Sequence, residues 1–137
     1  MNADRLADQL VADEGLRLKP YRCTAGKLTI GVGRNLDDVG ITEVEALALL
    51  NNDIERVWSQ TVRGIPWISS APGEVQEVVA NMVFNMGIAG VLGFKTTLEA
   101  LKAGDYRRAA QAMLDSKWAK QVGPRAERLS RRVKALA

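Results

Sequence analysis

The 137-residue sequence contains no histidine and a single cysteine, Cys23. Serine–histidine and cysteine–histidine hydrolysis are thereby excluded, and a zinc site is effectively excluded too, since it needs several nitrogen or thiolate ligands. One cysteine cannot build a disulfide framework, so the fold does not depend on oxidation. Acid–base chemistry must therefore come from carboxylates, lysine, tyrosine or the thiol. Glu14 stands out among the carboxylates by position: a helical period ends there, Gly15 follows, and an extended pattern begins. A carboxyl group at such a junction can face a cleft and act as a general acid if its surroundings favour the protonated form. The plain alternative is a surface glutamate near a helix end, where negative charge is mildly unfavourable. Spacing alone favours that alternative.

The elements that must position these residues follow from periodicity. Ala3, Leu6, Ala7, Leu10 and Val11 share one face of a helix over residues 2–13, with Gly15 as its stop. From Leu16 to Asn35 residues alternate around turn formers, which predicts a short β-hairpin or three small strands turning at Cys23-Thr24-Ala25-Gly26. Thr42 followed by Glu45 is a capping-box pattern opening a long helix to about Arg63. Leu47, Leu50, Ile54, Val57 and Trp58 are its predicted buried stripe, and Gly64 and Pro66 end it. A more uniformly apolar helix over Gly73–Met86 places Val75, Val78, Val79, Met82 and Val83 in the core. Shorter helices are predicted over 87–92, 94–103 and 105–115, and a basic helix from Pro124, a residue suited to a first helical turn.

Composition agrees, with 47% hydrophobic residues, 5% aromatic ones and an abundance of helix formers. The fold class read from this is α+β, mainly α. The β segment, about 15–41, is too small to bury its own core. It reads as a minor lobe beside a helical lobe of about 64–137 that also takes up the N-terminal helix 2–13. The helix at about 42–63 links the lobes in a single domain, 1–137, with a cleft between them of the kind that commonly binds ligands. No run of about 18 apolar residues is apparent, so no membrane insertion is expected. Met1-Asn2-Ala3-Asp4 lacks the pattern of a secretory signal, and synthesis and folding in a cytoplasm are expected.

The net charge of +3 is unevenly placed. Between Lys117 and Ala137 seven basic residues stand against one acid, Glu127. Such asymmetry points to a polyanionic partner (nucleic acid, membrane surface or acidic cell wall) or to a solvated face of a terminal helix.

The stretch from Glu14-Gly15-Leu16 through Tyr21 to Thr29-Ile30-Gly31-Val32-Gly33 resembles the signature of the T-even phage lysozyme family, glycoside hydrolase family 24. The family pattern is E-G-x-x-L-x-x-Y, a turn, then T-I-G-x-G. Asn81-Met82-Val83-Phe84-Asn85-Met86-Gly87, Gly90-Val91-Leu92-Gly93-Phe94, and Ser116-Lys117-Trp118 with Gln121 and Arg125-Ala126 are similar to the family's helical lobe. The resemblance runs nearly end to end, with its motifs in order. Only seven residues separate Arg34 from Thr42, where the phage prototype has a longer insertion, so the small lobe should be minimal.

The resemblance implies a lysozyme-like fold and hydrolysis of the β-1,4 bond between N-acetylmuramic acid and N-acetylglucosamine in peptidoglycan. It implies no metal or cofactor, a monomer, and access to the wall in the periplasm either through a separate pore-forming holin or from a wall-piercing phage structure to which the domain was once attached. Glu14 matches the acid that protonates the glycosidic oxygen, and Thr29 the threonine that positions the attacking water. Arg125 matches an arginine paired with the catalytic glutamate, with Tyr21 as a further supporting residue. Asn85 matches a cleft-lining glutamine, Gly31 and Gly33 let backbone approach the sugar or simply make tight β geometry, and Phe94 lines the cleft or belongs to the core. Trp118 reads as core.

Cys23 departs from many relatives, which carry aspartate there. A neutral thiol supplies no charge, and a nearby Glu14 carboxylate would raise its pKa further. Cys23 is then a thiolate base or nucleophile, a bystander, a small turn filler or a sign of impairment. Two other classes stay open on sequence. One is a wall-binding module that has lost catalysis. The other is a basic nucleic-acid-binding protein, against which stands the lack of stacking aromatics among the basic residues.

Overall fold

The computed structural model describes residues 1–137. Helix α1, Ala3–Glu14, starts at Asn2, whose side chain accepts from the Arg5 N–H at 3.1 Å, and it ends where Gly15 turns the chain out. Strands β1 (Arg17–Arg22), β2 (Leu28–Gly31) and β3 (Arg34–Asn35) follow as an antiparallel sheet in that order. β1 is an edge strand, which tolerates Pro20: its pairing with β2 slips between Arg17 and Tyr21, where a missing N–H costs least. Helix α2, Glu43–Gly64, opens with a reciprocal capping box: the Glu45 N–H donates to Thr42 Oγ1 at 3.1 Å and the Thr42 N–H to Glu45 Oε1 at 2.9 Å.

A 3-10 turn over Pro66–Ser70 leads to α3 (Gly73–Leu92), α4 (Lys95–Ala103), α5 (Tyr106–Leu114), α6 (Lys117–Val122) and α7 (Pro124–Lys134). Gly87, at φ +82°, interrupts α3, so the separate short helix predicted from there is its last turn beyond a kink. The 3-10 turn and α6 were not predicted. α6 has a legible cap, Ser116, whose hydroxyl accepts from the Ala119 N–H at 3.1 Å.

The chain forms two compact units, Met1–Leu49 and Leu50–Ala137. In the first, Thr29 is the one buried residue. Polar bonds hold it instead: Asp37 accepts from the Leu28 N–H at 2.8 Å, Lys27 pairs with Asp38 at 3.1 Å, and Arg34 reaches both the Gly40 carbonyl and Glu45 at 3.0 Å. The second unit holds the apolar core, in which Val75, Val78, Val79, Met82 and Val83 of α3 are all buried, as their spacing predicts. Met113, Leu129 and Val133 close around them. Arg132 of α7 pairs with Glu74 and Glu77 of α3, a tie between elements far apart in sequence.

Two expectations need correction. Helix α1 buries no residue, since the small polar sheet of its unit offers little apolar surface. Of the stripe predicted for α2, Val57 is buried and Trp58 half-buried, whereas Leu47, Leu50 and Ile54 are exposed. That stripe is real as a period, but the helix contributes to the core of the second unit only from Val57 onward. Finally, α3 is on average long and apolar enough to cross a membrane, with mean hydropathy 1.4, although Glu74, Gln76, Glu77, Asn81 and Asn85 interrupt it and no unbroken run of 18 apolar residues exists. Its buried valines and its break at Gly87 are those of a core helix.

Candidate active site

Glu14 is the last residue of α1, and Gly15, at φ +78° and ψ 164°, sends the chain directly toward β1. Its side chain reaches the turn between β2 and β3. A Cβ placed on Gly33 would lie 2.9 Å from Glu14 Oε2 and 3.1 Å from Glu14 Cδ, so the carboxylate rests against the bare Cα face of Gly33. Glu14 is otherwise exposed. Gly31 also has a positive φ, +70°, and nothing lies within 4 Å of where its Cβ would stand.

Thr29 lies on the central strand, opposite Tyr21, and is 3% exposed. Its hydroxyl donates to the Lys27 carbonyl at 2.9 Å, and the Cys23 N–H donates to that same oxygen at 2.9 Å. One carbonyl thus brings Cys23 and Thr29 together. The Tyr21 ring carries the Arg17 guanidinium 4.2 Å above its centre, a cation–π contact that braces β1.

The Cys23 thiol is held below its ordinary pKa, first by the Lys27 backbone and then by that of Ala25. Partial desolvation opposes them. This corrects the expectation that Glu14 would raise it: hydrogen bonding within the 23–27 turn stabilises the charged sulfur directly. A lowered thiol is better suited to carry negative charge near neutrality than an ordinary cysteine.

The second unit holds the other predicted residues. Asn85, exposed on α3, accepts from the Trp118 indole N–H at 2.8 Å. Trp118 is 5% exposed and meets Phe94 edge to face, with centroids 6.1 Å apart, so it is a core residue as read from the sequence. Phe94 is half-buried and, with Lys95, Thr96 and Ser116, lines a shallow cavity of about 210 Å³. Arg125 Nε donates to Asn81 Oδ1 at 2.9 Å, one turn of α3 before Asn85. Sequence reasoning did not find Asn81, the Lys27 carbonyl or the Glu14–Gly33 contact. The Asn81 and Asn85 pair at i, i+4 was the available signal for a polar stripe on α3. No group of three metal-ligating side chains comes together.

The phage lysozyme family profile matches residues 11–135, which takes in Glu14, the sheet and the helical unit through α7. The chain belongs to the phage lysozyme family. It is 35% identical to an endolysin of Acyrthosiphon pisum secondary endosymbiont phage 1, over 78% of this chain and 72% of that protein. It is 29% identical to the probable T4-type lysozyme 1 of Dictyostelium discoideum, over 90% of each. It is also 32% identical to the pre-baseplate central spike protein Gp5 of Enterobacteria phage T4, over 91% of this chain but only 27% of that longer protein. Mainly helical with one small three-stranded sheet, the phage lysozyme chain has the lysozyme-like α+β class expected of it.

Proposed function

We propose that this member of the phage lysozyme family is a muramidase that hydrolyses the β-1,4 bond between N-acetylmuramic acid and N-acetylglucosamine in bacterial peptidoglycan. The observation that carries the proposal is the seat of Glu14: its carboxyl group leans on Gly33, in the β2–β3 turn of the small sheet whose central strand bears Thr29 and whose β1–β2 turn begins at Cys23. A saccharide laid over that carboxyl group displaces water from it. Glu14 then gives its proton to the glycosidic oxygen as the bond to the sugar's anomeric carbon breaks.

Thr29 has spent its one proton on the Lys27 carbonyl, so toward the substrate its oxygen acts as an acceptor. An acceptor is what an attacking water needs to be oriented. Cys23 stands where the usual two-carboxylate arrangement has its second negative group, a place its thiolate would fill. If sulfur attacks the sugar the product anomer is retained, and if water attacks it is inverted.

Asn85, Gly31 and Phe94 serve substrate binding in this reading, with Tyr21 and Arg125 in support. No metal or cofactor takes part. The exposed cations of α7, Arg128 and Lys134 among them, favour the carboxylate-rich peptides of the wall, an attraction that salt weakens. The reading carries with it a monomeric enzyme that acts in the periplasm and reaches it through a separate pore-forming protein.

The test is release of reducing ends from purified peptidoglycan by the parent and by Glu14→Gln. The glutamine variant should fold with an unchanged circular dichroism spectrum and release none above background. Release at the parent rate would remove Glu14 from the chemistry and the proposal with it.

A further inference from the structure

Eight glycines of this chain have a positive φ, and each is favoured there simply because other residues avoid that region. Gly33 differs from the other seven. It alone among them has any atom within 4 Å of the place a Cβ would occupy, and the three nearest are Oε2, Cδ and Cγ of Glu14, at 2.9, 3.1 and 3.2 Å. Two requirements therefore coincide at one residue: a backbone at φ +65° and an empty volume in which the carboxyl end of Glu14 lies. Gly40, at φ +66°, has the first requirement without the second.

We propose that Gly33 is a positioning residue for Glu14, its missing side chain being the seat that fixes the carboxyl group at the β2–β3 turn. The inference rests on the reading of Glu14 as the acid and adds what aims it. Glu14 ends its helix and is exposed, and contact with the Gly33 backbone restricts its rotamers. Any side chain on Gly33 must push something aside. The obstructing atoms all belong to the far end of one flexible side chain, so the carboxyl group yields and the fold does not. A displacement of about 1 Å at a reacting group is enough to cost on the order of 100-fold in rate.

The experiment compares Gly33→Ala with Gly40→Ala, which carry the same backbone penalty. Both variants should fold and lose the same amount of thermal stability. Gly33→Ala should lose on the order of 100-fold in kcat on peptidoglycan with KM little changed, because binding does not need the proton in place. Gly40→Ala should keep the parent kcat. Proton NMR adds a readout independent of activity: the nuclear Overhauser contacts between the residue 33 α proton and the Glu14 side chain should weaken in Gly33→Ala and keep their strength in Gly40→Ala. Equal kcat in the two variants, contacts of undiminished strength in Gly33→Ala, or failure of Gly33→Ala alone to fold would each overturn the proposal, the last because the backbone and not Glu14 would have yielded. Should Glu14→Gln stay fully active, the functional reading fails by itself, and the NMR contacts still decide whether Gly33 seats the carboxyl group.

Discussion

Cys23 and Thr29 hang from a single backbone oxygen, the Lys27 carbonyl, which accepts from the Cys23 amide and from the Thr29 hydroxyl, each at 2.9 Å. The bond fixes the Thr29 rotamer and leaves its oxygen free only to accept. Thr29→Val keeps the shape and removes the acceptor. Its stability should fall by only about 1 kcal/mol, since Lys27 still has the Cys23 amide as partner. Its rate of peptidoglycan cleavage should fall on the order of 100-fold. Thr29→Ser should recover most of the loss. Kinetics and melting curves on the same preparations check this, and a fully active valine variant would show that no water is held there.

The thiol offers a separate test. Its folded pKa lies below that of an unfolded cysteine, so the thiolate appears at lower pH in the native protein than in denaturant. The alkylation rate of Cys23 with iodoacetamide, followed against pH, should have its midpoint below the value for the unfolded chain. Activity should rise through the same range if the charge on sulfur is used. Cys23→Asp, ionised well below neutrality, should then stay active at lower pH than the parent. Cys23→Ser should lose the rise. A serine variant with the parent profile would make Cys23 a bystander.

Much of this was legible because the signals are local. The Thr42–Glu45 capping box, the valine spacing of α3 and the stop at Gly15 each involve residues within a few positions of one another, and each appears where it was read. What could not be read depends on what covers a face. The apolar period of α1 is present, yet Leu10 and Val11 are exposed, because periodicity reports a face and not its neighbour. The Glu14–Gly33 contact joins residues 19 apart through a turn whose geometry no pattern encodes. The family resemblance named both residues and could not say that one rests on the other. Cys23 was misjudged for a related reason: the backbone groups that lower its pKa acquire their direction only once the turn is folded.

Acid should loosen the first unit at a defined point. Glu45 accepts from Arg34 and from the Thr42 N–H, and these hold its pKa down to about 2. An unfolded glutamate titrates near 4.3. The folded state therefore binds fewer protons, and the stabilisation is fully present above that value and drains away as pH falls toward 2. Glu45→Gln keeps a capping side chain and removes the titration. The parent should lose stability between neutral pH and pH ~3, and the glutamine variant should lose less over the same interval. Parallel slopes in chemical denaturation at the two pH values would remove this ion pair from the acid response.

The last prediction concerns the helical unit, where Asn85 does two things at once. Its carbonyl oxygen accepts from the Trp118 indole, which is almost fully buried, and its residue position is one the resemblance assigns to substrate contact. Asn85→Ala leaves the indole N–H without a partner inside the core, a loss of about 1–3 kcal/mol. Asn85→Asp keeps the acceptor and should hold the tryptophan in place. If the asparagine also meets the sugar through its NH2 group, the aspartate variant should fold normally and still show a raised KM, whereas the alanine variant should show both defects. Melting temperature and steady-state kinetics separate the two roles. An aspartate variant with the parent KM would confine Asn85 to holding Trp118.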